Sequence, residues 1–200
     1  MDPEKGEDVR KNPVLEATAR ASYEALTKDD WGRKSLSGHE RDRFFLSRGG
    51  QQFSDLSLLS GADHQGDGRA CALLDYNGDG RLDIAVANTN RPTLLLWKNE
   101  LKLPNRTIEL RLTGGPGMNR DAIGARVTVE AGGRKMLREL HCGEGNAAQN
   151  SKALLFGLGS ADKADRITVR WPDGRTFTVP GPVPAGQRLL IHPDGSRMLE

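Results

Sequence analysis

Residues 70–87 read Ala-Cys-Ala-Leu-Leu-Asp-Tyr-Asn-Gly-Asp-Gly-Arg-Leu-Asp-Ile-Ala-Val-Ala, an acidic loop between two short apolar runs. Each run has the length and composition of a buried strand, and turn-forming residues separate the two. The acidic loop therefore joins the ends of two strands. We refer to residues 75–83 as the Asp loop.

The Asp loop carries oxygen-bearing side chains at alternating positions. A hard cation such as Ca²⁺ takes about six to eight oxygen ligands, and Gly80 permits the positive φ that a sharp bend needs. The main-chain carbonyl of Arg81 would complete the set. The spacing therefore predicts a Ca²⁺ site with the ligands Asp75, Asn77, Asp79, Arg81 and Asp83.

The Asp loop has three other interpretations: an EF-hand, a turn without a metal, and a catalytic metal site. An EF-hand is excluded because position 12, counted from Asp75, is Val86 rather than Glu, and the flanks read as strands. A plain Asp/Asn/Gly-rich turn without a metal stays open. A catalytic metal needs an open coordination position and a nearby base. Residues 70–87 contain no His, so we expect no enzyme.

Composition narrows the class of protein. Two hundred residues suit one large domain or two small ones, and the net charge of +2 is too balanced for a dedicated nucleic-acid binder. No apolar run approaches the ~18 residues of a membrane span. The 24 Gly and 10 Pro residues favour short strands with many turns.

The N-terminal 42 residues are predicted to hold one helix. A charged tail covers residues 1 to about 11, and Asn12-Pro13 has the pattern of a helix start. Apolar residues between Val14 and Leu26 then recur at helical spacing. We predict an amphipathic helix over about 13–28, followed by a polar linker to residue 42.

Residues 43–104 read as short antiparallel strands with tight turns, as in a single propeller blade. This stretch resembles an FG-GAP/VCBS repeat in Phe44-Phe45-Leu46, residues 50–56, residues 74–84 and residues 94–100. The resemblance implies that the Asp loop binds Ca²⁺, as it does in that family. A lone blade leaves sheet edges exposed. We expect other protein chains, a second copy or the rest of this chain to cover it.

Residues 105–200 form a second β-rich block. Apolar and polar residues alternate over 108–112, 126–129 and 166–171, which predicts a sandwich-like domain with one buried and one solvated face to each sheet. The block resembles the ASPIC/UnbV domain in residues 119–127, 156–159 and 169–174. Such domains follow FG-GAP repeats in secreted proteins. The predicted fold is mainly β: a blade-like sheet, a C-terminal β-sandwich-like domain and one N-terminal helix.

These observations favour a non-enzymatic Ca²⁺-binding module for protein–protein contact. An extracytoplasmic location, periplasmic or secreted, is expected although the first residues form no apolar signal segment. The alternative is an accessory subunit of a larger periplasmic or membrane-associated complex. Cys71 and Cys142 are compatible with a disulfide or with two buried free thiols, and Asn105-Arg106-Thr107 is a glycosylation sequon.

Overall fold

The computed structural model describes residues 38–199, without the side chains of residues 196 and 197. The helix predicted over 13–28 and the charged tail lie outside the described residues. Packing divides the described chain into two units, residues 38–68 with 88–94 and residues 69–87 with 95–199. We call them the N-terminal unit and the C-terminal unit; the predicted boundary at 104/105 stays a prediction.

The N-terminal unit contains a β-hairpin and a short helix. Strands β1 (Phe45–Arg48) and β2 (Gln52–Asp55) pair antiparallel, and helix α1 (Ser57–Ser60) follows. The sequence did not predict α1. It begins where a carboxylate oxygen of Asp55 accepts the Ser57 N–H at 2.9 Å, and it ends at Gly61, whose φ is 71°.

The Asp loop belongs to a three-stranded sheet. Its strands are β3 (Gly68–Leu74), β4 (Asp83–Asn88) and β5 (Leu94–Trp97), in the order β3-β4-β5. The Asp loop connects β3 to β4, as the apolar runs predicted. Propeller blades have four strands, whereas this sheet has three within residues 38–199, so the blade assignment stays a prediction.

Ten further strands follow in the C-terminal unit: β6 (Arg106–Leu112), β7 (Arg126–Ala131), β8 (Arg134–Glu139), β9 (Leu154–Gly159), β10 (Lys163–Ala164), β11 (Arg166–Arg170), β12 (Thr176–Thr178), β13 (Val183–Pro184), β14 (Arg188–His192) and β15 (Gly195–Leu199). Eight of them form two four-stranded sheets, in the orders β12-β11-β7-β8 and β15-β14-β6-β9. The first sheet is antiparallel, and in the second β6 and β14 run parallel. Strands β10 and β13 form a separate pair.

One apolar core joins these two sheets. Alternate residues of β6, β7, β9, β11 and β14 enter it, including Val127 and Val169 from the first sheet and Leu110, Phe156 and Ile191 from the second. All five are at most 1% exposed. The two sheets therefore form a sandwich, and the prediction of a mainly β fold is confirmed. No helix among residues 38–199 is long and apolar enough to cross a membrane.

Candidate functional site

The first half of the Asp loop folds back on Asp75. One carboxylate oxygen of Asp75 accepts the Asp79 N–H at 3.0 Å, and the other accepts the Gly80 N–H at 2.7 Å. The side-chain oxygen of Asn77 also accepts the Asp79 N–H, at 3.2 Å. Three of the predicted ligand side chains, Asp75, Asn77 and Asp79, are therefore linked within one turn.

Asp83 anchors the other end of the loop. It is the first residue of β4 and is 0% exposed. Its two oxygens accept the Tyr76 N–H at 3.1 Å and the Asn99 N–H at 2.7 Å. Burying a carboxylate is costly unless its oxygens are hydrogen-bonded. Asp83 therefore ties the start of the loop to the segment that follows β5.

The Arg81 side chain has a role that the sequence did not reveal. Its guanidinium pairs with Asp79, and its Nε donates to the carbonyl oxygen of Asn99 at 2.8 Å. Desolvation raises the pKa of Asp79, but hydrogen bonds from Asn77 and Arg81 and the charges of Arg81 and Lys98 outweigh it. The pKa of Asp79 is consequently held below its usual value, so this carboxylate is available in its charged form.

The donor set of the Asp loop fits a hard cation by its chemistry. It combines three carboxylates and one amide within nine residues. Among residues 38–199, no group of three or more His, Cys, Asp or Glu side chains is arranged to hold a metal ion. A carboxylate has about four lone-pair sites, so the N–H contacts leave further acceptor capacity on each oxygen pair. The ligand assignment itself stays a prediction.

The Asp loop lies directly on the sheet that contains β6 and β14. Gly78 and Gly80 have φ values of 72° and 80°. A Cβ at Gly78 would lie 2.7 Å from Nη2 of Arg188, and a Cβ at Gly80 would lie 2.6 Å from Oγ1 of Thr107. The positive φ of Gly80 was expected from the sequence. The close approach to the sheet was not.

Glu109 lies beneath the loop on β6. The alternating pattern placed it on a solvated face, and this is wrong because Glu109 is 6% exposed. Its β9 neighbour Leu155 is 9% exposed. The Nε of Arg111 lies 2.7 Å from Oε1 of Glu109, and the Nε of Arg188 lies 3.7 Å from Oε2. A cavity of about 130 Å³ is lined by residues of the loop and of the sheet, including Asp75 and Glu109.

The free edge of β3 is covered by the loop that precedes β9. The Ser151 N–H donates to the carbonyl oxygen of Leu73 at 2.9 Å, and the Asn150 side chain accepts the Leu73 N–H at 2.7 Å. Asn146 donates to the carbonyl oxygen of Arg69 at 3.3 Å. The rest of the chain therefore covers one edge of the blade-like sheet.

A groove of about 290 Å³ lies beside this edge. Its lining includes Glu144 and Asn150, which bond to each other. The neighbouring Gln149 donates to the carbonyl oxygen of His141 at 3.4 Å.

Cys71 and Cys142 are both exposed and form no disulfide. The two cysteines are not bonded to each other, and the expectation that they would be buried is wrong. Strand β3 places Cys71 between Arg69 and Leu73, the two residues that the β9-preceding loop contacts.

Comparison with known proteins bears on the C-terminal unit. Residues 115–197 match the family model described as ASPIC and UnbV. Cartilage acidic protein 1 of Xenopus tropicalis is 31% identical over 129 residues, which cover 62% of this chain but only 19% of that protein. A solved Bacteroides uniformis structure, described as a candidate cell adhesion protein, is 13% identical with a TM-score of 0.26 and covers 66% of this chain and 64% of its own. That structural similarity is too low to carry an argument.

These matches support the ASPIC/UnbV resemblance of the C-terminal block. The family match covers β7 to β14 and the first residues of β15. The FG-GAP/VCBS resemblance of residues 43–104 stays a prediction.

Proposed function

We propose that this chain is a non-enzymatic Ca²⁺-binding module that contacts other proteins outside the cytoplasm. The observation that carries the proposal is the Asp loop, in which Asp75, Asn77 and Asp79 are linked within one turn and Asp83 is anchored beside them. Ca²⁺ has a structural role here, because the loop joins the end of β3 to the start of β4.

Each loop residue has a separate part in this proposal. The side-chain oxygens of Asp75, Asn77 and Asp79 and the carbonyl oxygen of Arg81 bind the cation, and Asp83 closes the site. Bound Ca²⁺ supplies positive charge that offsets the repulsion between the carboxylates. The Arg81 guanidinium already offsets part of that repulsion at Asp79.

The proposed location follows from affinity and from the comparisons. Calcium sites of extracellular modules bind at roughly 10⁻⁴–10⁻³ M, so such a loop fills only where Ca²⁺ is plentiful. The match to the ASPIC and UnbV family and the similarity to cartilage acidic protein 1 support a secreted or periplasmic module.

A thermal melt with and without Ca²⁺ tests the proposal. Calcium at about 100 times its Kd stabilises the folded state by about 2.7 kcal/mol relative to a chelator. For a chain of this size the expected rise in Tm is roughly 5–10 °C. The variant Asp79→Ala should lose this rise.

Asp173→Ala is the matched control for Asp79→Ala. Asp173 accepts the Arg175 N–H at 3.0 Å and pairs with the Arg175 side chain, as Asp79 does with Arg81, but it lies in a turn outside the loop. The control should keep the Ca²⁺-dependent rise in Tm. The absence of any rise in the unmodified chain, or an equal rise in Asp79→Ala, would contradict the proposal.

A second candidate function is an accessory subunit of a larger complex. The N-terminal unit favours it, because Phe45 is 55%, Phe53 65%, Leu58 81% and Leu59 85% exposed. Four large apolar side chains exposed within residues 45–59 are compatible with a contact surface. The mass of the native assembly separates the candidates, since a 21.8 kDa monomer would leave these side chains without a partner chain.

A further inference from the structure

We propose that Arg188 is a positioning residue that holds the Asp loop in its cation-binding shape before any cation binds. The sheet β15-β14-β6-β9, which carries Arg188 on β14, would thus preform the site. The cation-binding part of this inference rests on the proposed function, whereas the positioning part rests on contacts within the C-terminal unit.

The anchor of this arrangement is the buried carboxylate of Glu109. It is 6% exposed, and a buried carboxylate is costly unless it is paired. Arg188 lies directly opposite Glu109 in the parallel pairing of β14 with β6. Arg111, on the same strand as Glu109, supplies the closer contact at 2.7 Å. Glu109 therefore has two arginine partners, of which one reaches the loop.

Arg188 connects this anchor to the loop. Its Nε lies 3.7 Å from Oε2 of Glu109, and its Nη2 donates to the carbonyl oxygen of Gly78 at 2.8 Å. A guanidinium presents its donors in a rigid fork, so orienting one end fixes the other. The charge on the donor makes the bond to Gly78 stronger than an ordinary neutral hydrogen bond.

Gly78 is the position at which such a bond has the greatest effect on the loop. Its carbonyl belongs to the same peptide group as the Asp79 N–H, which donates to the side chains of Asp75 and Asn77. The absence of a side chain at Gly78 lets the guanidinium approach, since a Cβ there would lie 2.7 Å from Nη2. Thr107 also approaches the loop closely, since a Cβ at Gly80 would lie 2.6 Å from its Oγ1. The loop therefore lies against the sheet at two glycines, and Arg188 bonds to it at one of them.

Holding the loop in this way preserves the hydrogen bonds that shape it. The N–H groups of Asp79 and Gly80 bond to the Asp75 carboxylate only while the loop stays folded. Amide hydrogen exchange at these two positions consequently reports how often the loop opens. This readout needs no cation, so it does not depend on how the removal of an arginine changes the affinity of the site for Ca²⁺.

The experiment measures hydrogen exchange at the Asp79 and Gly80 amides in a chelator, in the whole chain. Arg188→Met should speed their exchange about tenfold or more, because a charge-assisted bond is lost. Arg188→Lys, which keeps the charge without the fork, should give an intermediate rate. Amides of Val129 and Ile167, on the other sheet, report global stability in the same spectra.

Arg111→Met is the matched control. It removes the other arginine partner of Glu109, at 2.7 Å, while leaving the bond from Arg188 to Gly78 in place. The loop amides should exchange at the unmodified rate in this variant once any change at Val129 is taken into account. Equal acceleration in both variants, or none in Arg188→Met, would overturn the assignment of Arg188.

A Ca²⁺ titration of the same samples keeps this inference distinct from the proposed function. If the unmodified chain binds no Ca²⁺, the proposed function fails, and the cation-binding part of this inference fails with it. The exchange rates then decide the positioning part alone. Binding of Ca²⁺ with unchanged loop exchange in Arg188→Met would instead overturn only the role of Arg188.

Discussion

The hairpin of the N-terminal unit and the sandwich of the C-terminal unit both place phenylalanine on a strand, with opposite results. Phe53 on β2 is 65% exposed, whereas Phe156 on β9 is 1% exposed. Strand β2 belongs to a two-stranded sheet, while β9 belongs to a sheet that packs against a second one through a shared core. The difference shows that strand formation does not by itself bury a side chain, because burial requires a second layer.

Glycines in the two regions show the same contrast. Gly49, in the turn of the hairpin, has a φ of 72° and no atom within 4 Å of where a Cβ would be. Gly80 has a φ of 80°, and its Cβ would lie 2.6 Å from Oγ1 of Thr107. One glycine is required by backbone conformation only, and the other by conformation and by packing.

Truncating one phenylalanine in each region should give the largest difference in the free energy of unfolding. Phe156→Ala leaves a cavity in the sandwich core, and we expect a loss of about 3–5 kcal/mol in the free energy of unfolding. Phe53→Ala should change it by less than about 0.5 kcal/mol, since the side chain is largely exposed. Urea unfolding followed by circular dichroism measures both. Similar losses in the two variants would mean that Phe53 is covered.

Replacing Gly49 and Gly80 by alanine should give an intermediate difference in the free energy of unfolding. Gly49→Ala should lower the free energy of unfolding by about 1–2 kcal/mol, because only the left-handed backbone is unfavourable for alanine. Gly80→Ala has the same backbone cost and also displaces Thr107, so we expect its loss in the free energy of unfolding to be about 1 kcal/mol larger. Urea unfolding of the two variants measures this difference. In a Thr107→Ala background the extra cost should disappear, because the nearest atom then lies 3.8 Å away.

Protonation of Asp55 at low pH should give the smallest change in the free energy of unfolding. The Ser57 hydroxyl and N–H and the charge of Arg43 hold the pKa of Asp55 below its usual value. Because the folded pKa is depressed, this stabilisation is complete above the unfolded pKa of ~3.9 and is lost as the pH falls through the folded pKa. Ser57→Ala should raise the pKa of Asp55, as followed by carboxyl NMR.

Asp173 in the sandwich provides the control for this titration. The Arg175 N–H and side chain hold its pKa below the usual value, without any contribution from Ser57. Its titration should therefore be identical in Ser57→Ala. An unchanged pKa for Asp55 in that variant would show that the Ser57 hydroxyl contributes nothing, and that the backbone N–H of residue 57 and Arg43 are responsible.

The sequence predicted the sandwich strands better than their surroundings. Alternation at 108–112 and 126–129 correctly assigned Leu110 and Val127 to the core. The same alternation assigned Glu109 to solvent, which is wrong because the Asp loop covers that part of the sheet. A periodic pattern identifies the two faces of a strand, but it carries no information about what packs on the outer one.

The sequence by itself determined the strands on each side of the Asp loop, the oxygen-rich donor set within the loop, and the glycine at its bend. These features depend on residues a few positions apart, whose conformations and hydrogen bonds are local. Only the tertiary structure decided that Arg188 donates to Gly78 across 110 positions, that Glu109 is buried beneath the loop, and that residues 146–151 cover β3. Such contacts arise when separate segments pack together, and no local spacing encodes them.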